Sequence, residues 1–174
     1  MYNITVPVFI RSLTNLSLML DKAQEFSEQK KFDVENLLND RLAPDQYPLL
    51  KQVQIACDAA KGTAARLAGL EVPKFEEPLK TVSDLKQRIE KTIDFLRSIR
   101  PEQIEGSEDK KVPVWYMPGK WLTGFEYISE IYLPNFFFHV TTAYSILRHR
   151  GVNLGKSDYL GQLSLKEDEE INKS

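Results

Sequence analysis

The chain of 174 residues has the length of one ordinary domain, and its composition, 42% hydrophobic and 28% charged, is typical of a globular protein. A formal net charge of -2 supplies no positive field, so neither nucleic acid nor an acidic membrane surface is expected as a partner. The N-terminus lacks signal-peptide regions, and no stretch approaches the ~20 apolar residues of a membrane span, which predicts a cytoplasmic protein.

The chain contains a single cysteine, Cys57, which excludes an internal disulfide and a zinc ribbon and suits a reducing compartment. It falls on an apolar helix face, so it is predicted to be a buried and unreactive thiol.

The first segment is predicted to form a helix over about residues 4 to 29, because apolar residues recur at alternating spacings of three and four. They are Val6, Phe9, Leu13, Leu16, Leu20 and Ala23. A short turn of helix then begins at Asp33, whose side chain can accept a hydrogen bond from the free amides of the first turn.

A second helix is predicted over about residues 46 to 68, with Asp45 as its N-cap and Pro48 in its first turn. Gly69 ends it. The following connector contains two prolines and is long enough to cross the length of a bundle, which indicates one overhand crossover.

Thr81 and Asp84 can cap a third helix that ends before Pro101. The next segment, KKVPVWYMPGKWLTG, places β-branched and aromatic residues on both sides of Pro118-Gly119, the pair that a type II turn prefers. A small β-hairpin is therefore predicted.

Thr123 and Glu126 have the spacing of a capping box for a fourth long helix, which extends to Gly151 with a kink predicted at Pro134. Four long amphipathic helices with one crossover predict an all-α four-helix bundle. We expect this domain at residues 1–161, followed by a polar C-terminal tail at residues 162–174.

His139 is the main candidate for chemistry, because helix bundles build sites from side chains on facing helices. It lies roughly 90° from the core direction of the fourth helix, with Asn135 one turn earlier and Gln52 at a similar position on the second helix. It is either a structural hydrogen-bonding residue or a binding, metal or acid–base group working with Gln52 and Asn135. His149 points away from the core, near the helix C-terminus, and is predicted to be a solvated cap.

Apolar side chains also fall on the outer faces of the second and fourth helices, at Ile55, Ile131 and Phe138. Several such side chains on adjacent helices predict a homodimer interface, with Asp58 as an interface carboxylate. Aromatic residues around the hairpin could line a ligand mouth or cover one end of the core; they are Trp115, Tyr116 and Trp121.

Three long segments carry a family resemblance: VPVFIRSLTNL, LLNDRLAPDQYPLLKQVQIACDAAKGTAARLAG and LPNFFFHVTTAYSILRHRGVNLGKSDYLG. They resemble a bacterial and fungal family known as a domain of unknown function, which looks like a member of the DinB/YfiT-like superfamily. The resemblance implies a DinB-like four-helix bundle, often a dimer, and often a divalent metal such as zinc or nickel.

In that superfamily the metal is typically bound by one histidine of the second helix and two histidines of the fourth, and some members are thiol transferases. The predicted second helix of this chain contains no histidine, and the residues four positions from His139 are Asn135 and Ala143. Amides are weak ligands for zinc or nickel, so we expect this chain to lack the superfamily's metal triad.

Three functions follow from these expectations, and whether the protein is an enzyme stays open. The first is a small-molecule-binding bundle without the superfamily's metal triad. The second is a divalent-metal-dependent thiol transferase or hydrolase that uses His139 with Gln52 or Asn135. The third is an interaction protein that works through its outer apolar faces.

Overall fold

The computed structural model describes residues 1–76, 78–114 and 116–166. Its α-helices are α1 (Val6–Lys30), α2 (Leu49–Ala68), α3 (Val82–Arg97), α4 (Gly124–Glu126), α5 (Leu133–His149) and α6 (Lys156–Leu160). Short 3-10 helices cover Tyr2–Ile4, Val34–Asn39 and Pro101–Gln103. Two strands, β1 (Lys111–Pro113) and β2 (Trp121–Thr123), complete the regular structure, so the predicted all-α class with one small hairpin is confirmed.

The bundle consists of α1, α2, α3 and α5, whose apolar faces meet in one core. The predicted seam of α1 is buried along its length, and the Phe9 ring meets the Phe136 ring of α5 edge to face at 4.7 Å between centroids. Cys57 is fully buried in α2, as its apolar face predicted, and burial raises the pKa of its thiol to about 12. The core therefore leaves this thiol protonated and shielded from reagents.

The connector between α2 and α3 is a crossover. The Val82 amide, at the start of α3, donates to Glu35 at 2.8 Å, in the 3-10 helix that precedes α2. At the same end of the bundle the Leu49 amide, at the start of α2, donates to the Asp40 carbonyl at 2.9 Å. Because both helices begin at this end, the chain after Gly69 returns along the bundle before α3 starts.

The hairpin pairs β1 and β2 antiparallel, with Val112 opposite Leu122. Its turn has Pro118 and Gly119 at the central positions, Gly119 at φ +79°, and the Lys120 amide donating to the Met117 carbonyl at 2.9 Å. This is the type II geometry that the Pro-Gly pair predicted, since the third position of such a turn needs a positive φ.

The fourth helical segment begins with the predicted capping box, in which Thr123 and Glu126 satisfy each other's backbone amides. It continues through a π-helical stretch, Tyr127–Tyr132, into α5. The structure places this wide turn directly before Pro134, whose ring and missing amide prevent a regular α-helical bond there.

One local prediction is wrong, and one short helix was not predicted. Helix α2 begins at Leu49 with Pro48 as its N-cap and no side-chain cap bond, so Asp45 does not cap it. Apolar periodicity is lost after Gly155, so the sequence predicts no helix there, yet the five residues of α6 form one. Tertiary contacts hold it, because Asn15 of α1 donates to the Tyr159 carbonyl at 3.0 Å and Lys22 pairs with Asp158 at 2.6 Å.

Among the helices of the described residues, none combines the length and the apolar character that crossing a lipid bilayer requires. The predicted polar tail begins at residue 162, but residues 167–174 lie outside the described residues.

Candidate functional site

His139 and Gln52 form a buried contact between α5 and α2. The Nδ1 atom of His139 lies 2.7 Å from the Oε1 atom of Gln52. The Gln52 amide nitrogen donates to the Tyr47 carbonyl at 2.7 Å, which turns the amide oxygen toward the imidazole. The imidazole therefore donates through Nδ1–H, and both side chains serve in one hydrogen-bonded bridge between helices.

Burial lowers the pKa of His139 below its ordinary value of 6.5, because the apolar surroundings disfavour the charged imidazolium. A neutral histidine whose Nδ1 carries the proton keeps only Nε2 for a ligand. Within the described residues no three His, Cys, Asp or Glu side chains are grouped in a way that could hold a metal ion. The donor set around His139 therefore does not fit the divalent metal that the resemblance implies.

Asn135 is not part of this bridge. It is half-buried one turn before His139 and lines a separate cavity of about 770 Å³ between α2, α3, the start of α5 and the connector residues 72–76. Neither His139 nor Gln52 lines this cavity. The three residues predicted to act together thus divide between a buried bridge and a cavity wall.

The cavity contains an ion-pair cluster around Asp58. Its Oδ1 atom lies 2.8 Å from the Nη2 atom of Arg88 and 3.2 Å from the ammonium of Lys61. Both basic residues are only 4% exposed, whereas the Asp58 side chain is 42% exposed. Two desolvated cations therefore share one carboxylate that itself faces the cavity.

Phe75, in the connector, completes this cluster. Its ring centroid lies 4.1 Å from the Lys61 ammonium and 5.6 Å from the Arg88 guanidinium carbon, and its carbonyl accepts from Arg88 at 3.3 Å. The face of an aromatic ring attracts a cation, so the connector contributes both a wall of the cavity and partial compensation for the buried charge.

Arg66 adds a third cation from the last turns of α2. An ideal Cβ at Gly62 would lie 2.6 Å from one guanidinium nitrogen of Arg66, so the side chain folds back over that glycine. Long helical side chains point toward the preceding turn, and the absence of a side chain at Gly62 leaves room there for the guanidinium.

The residues predicted to form a dimer interface occupy two places. Ile55, Asp58 and Ile131 all line the cavity, while Phe138 is 56% exposed and lies outside it. The helical wheels assigned Ile55, Asp58 and Ile131 to one surface, and the fold also places these three residues together, around a concave surface. Whether a second copy of the chain covers them stays a prediction.

The aromatic residues around the hairpin are also divided. Tyr116 lines the cavity, whereas Trp121 is 49% exposed and its ring lies under the Lys111 ammonium at 4.6 Å. Trp115 lies outside the described residues. His149 is exposed at the last residue of α5, in agreement with the predicted solvated position.

Sequence reasoning missed Lys61, Arg88 and Phe75. A signal existed for Arg88, because it lies three residues after Leu85 and one before Ile89, within the apolar face of α3. A charged residue in such a face is unusual and indicates a buried pair or a site. The position of Phe75 depends on the path of the crossover, which local pattern does not determine.

The comparisons with known proteins agree with this fold. The family described as Domain of unknown function (DUF1993) matches residues 1–160. A crystal structure of a DinB family member protein from Shewanella denitrificans is similar with a TM-score of 0.92 and 43% sequence identity, covering 96% of this chain and 95% of that chain. No functionally curated protein matches the chain.

Proposed function

This chain belongs to the DUF1993 family, and from that premise we propose that it is a small-molecule-binding bundle protein whose binding site is the cavity between α2, α3 and α5. The observation that carries the proposal is the cavity itself, about 770 Å³ in volume with the Asp58 cluster in its wall. Ligand pockets have volumes of roughly 300 to 1,000 Å³ and combine apolar walls with a few placed polar groups.

The apolar walls support the same conclusion. Ile55 of α2, Val72 and Pro73 of the connector and Ile131 of the π-helical stretch face the cavity together with its charged residues. Burying charged groups costs free energy, so a fold that needed only stability would not gain from Lys61 and Arg88 at this position. A site that orients a ligand does gain from them.

The metal-dependent alternative would use His139 with Gln52 or Asn135 and water to hold zinc or nickel. His139 and Gln52 already bind each other, and Asn135 faces the cavity instead. This arrangement supports binding without a metal triad. Metal analysis of protein purified without an affinity tag tests the point, since stoichiometric zinc or nickel that is lost in a His139→Ala variant would overturn the metal-free proposal.

Ligand binding is tested by screening a fragment library against thermal unfolding of the wild type and two variants. Ile55→Trp fills the cavity wall, whereas Leu18→Trp makes the same kind of change at an exposed position of α1 outside it. We expect fragments that stabilise the wild type and Leu18→Trp but not Ile55→Trp. Equal stabilisation of all three proteins, or of none, contradicts the proposal.

A homodimer through α2 and α5 is a second proposal. Its support is the exposed ring of Phe138 and the half-buried Ile55 and Ile131 on adjacent helices. A second copy over these residues would also close the mouth of the cavity. A cytoplasmic location is proposed on the sequence alone, since the single cysteine suits a reducing compartment.

A further inference from the structure

The charges of the cavity differ in sign from those of the whole protein. Its described lining residues include four basic and two acidic side chains, although the chain has a formal net charge of -2. They are Lys61, Arg66, Lys74, Arg88, Asp58 and Glu76. A concave surface with this balance concentrates positive potential, because its low-dielectric walls focus the field.

The deepest cations are incompletely compensated. Lys61 and Arg88 are each 4% exposed, and within residues 1–76, 78–114 and 116–166 the only carboxylate paired with either of them is that of Asp58. The Nε atom of Arg88 is buried and makes no hydrogen bond within those ranges. A buried donor without a partner costs free energy, and an anion in the cavity would offset that cost.

Arg66 is the cation best placed to meet a ligand. It lines the cavity, lies beside Gly62, and forms no ion pair in the part of the chain that the structure describes. A guanidinium presents several N–H donors in a planar fork that matches the oxygens of a carboxylate or phosphate. Lys61 of the same helix also lines the cavity and gives its wall a second cationic donor.

We propose that the cavity binds a small organic anion, with its carboxylate or phosphate held by Arg66 and Lys61 and its apolar body against Ile55, Val72 and Ile131. Asp58 keeps Lys61 and Arg88 in place beneath this group. A volume of about 770 Å³ is far more than an inorganic ion fills, which is why the ligand has an organic body. This inference rests on the proposed function and adds the chemical class of the ligand.

The experiment uses four probes that share one aromatic body and differ in their polar group: 1-naphthylacetate, 1-naphthyl phosphate, 2-(1-naphthyl)ethanol and 1-naphthylmethylamine. Binding to the full chain is measured by calorimetry. We expect one or both anions to bind about tenfold more tightly than the alcohol and the amine, the gain of a charge-assisted hydrogen bond. The anion that binds more tightly shows whether the cavity prefers a carboxylate or a phosphate.

Variants connect this preference to the residues. Arg66→Gln is expected to weaken anion binding about tenfold and to leave the alcohol unchanged. Lys51→Gln is the matched control, because Lys51 is exposed on the same helix and does not line the cavity. Gly62→Ala is a second variant that displaces the Arg66 guanidinium while favouring the helix, so a loss of anion binding there cannot come from unfolding of α2.

The outcomes separate the two proposals. Equal affinity for all four probes, or a preference for anions that survives in both Arg66→Gln and Gly62→Ala, overturns the anion inference and leaves the proposed function standing. If none of the four probes binds while library fragments bind at the cavity, the anion inference is also overturned and the proposed function stands. Failure of probes and library together overturns both proposals.

Discussion

At the scale of single residues, the contact between His139 and Gln52 makes each side chain depend on the other. A Gln52→Met variant nearly preserves the side-chain volume, but the buried Nδ1–H of His139 loses its hydrogen-bond acceptor. A buried donor without a partner costs about 1–3 kcal/mol, so we expect the free energy of unfolding in urea to fall by that amount.

Gln54→Met is the control for this prediction. Gln54 is two residues further along α2 and only half-buried, and its amide oxygen accepts from the exposed Lys51 side chain. We expect a change within about 0.5 kcal/mol there. If both variants lower the free energy of unfolding by the same amount, the hydrogen bond to His139 is not the contribution of Gln52 to stability.

The lowered pKa of His139 also predicts a dependence of stability on pH. Above pH 6.5 the imidazole is neutral in both states, so the full stability is present. As the pH falls below 6.5, the unfolded chain takes up a proton that the folded protein does not accept until its lower pKa is reached. Stability is therefore lost over that interval.

The measurement compares the wild type with His139→Gln by denaturant unfolding between pH 8 and pH 5. We expect the difference in stability between the two proteins to shrink steadily below pH 6.5. A difference that stays constant over this range would show that the folded and unfolded states bind the His139 proton equally.

At the scale of secondary-structure elements, the start of α4 depends on a close approach between two backbone segments. An ideal Cβ at Gly124 would overlap the carbonyl oxygen of Ser107 and lie 3.4 Å from a methyl group of Leu67. A backbone carbonyl cannot rotate away as the end of a side chain can, so the loop that precedes β1 or the capping box has to move.

We therefore expect Gly124→Ala to lower the free energy of unfolding by at least about 2 kcal/mol, within the usual cost of overpacking. The comparison is Gly155→Ala, where the new methyl group would meet only ordinary contacts at 3.7 Å and the φ of -129° suits any residue. There the cost should stay below about 1 kcal/mol. Circular dichroism during thermal unfolding distinguishes the two, and equal costs would refute the clash.

At the scale of the whole molecule, the proposed homodimer would cover the outer faces of α2 and α5. If a second copy packs there, Phe138→Glu places a charge in an apolar interface and should convert a particle of two chains to one of a single chain in light scattering. Leu18→Glu is a matched control, because Leu18 and Phe138 are both 56% exposed. A single-chain wild type, or a dimer that persists in Phe138→Glu, counts against this interface.

Periodicity alone predicted the bundle, because the spacing of apolar residues reports directly which side of a helix faces the core. Other local features have partners within four residues: the Thr81 and Thr123 capping boxes and the Pro118-Gly119 turn. Such features need no knowledge of the rest of the chain. Where a local rule failed, as for Asp45 before α2, a start at Pro48 with a backbone bond to Asp40 took its place.

The candidate site was only half predictable. Helical wheels placed His139 and Gln52 at similar positions beside the cores of their two helices, and the structure joins them. The same wheels placed Ile55, Asp58 and Ile131 on outer faces, yet the returning connector turns those faces into the wall of a cavity. A wheel describes one helix and takes no account of the chain that lies across it.

The sequence by itself determined the four long helices, their buried faces and the hairpin, since each depends on residue types at fixed short spacings. The length of the connector after Gly69 indicated the crossover. Only the tertiary structure decided that Phe75 lies over Lys61 and Arg88 and that Asp58 joins two buried cations. These contacts link α2 with α3 and with the connector between them. Their geometry depends on how the elements pack, and that packing produces the cavity on which the proposed function rests.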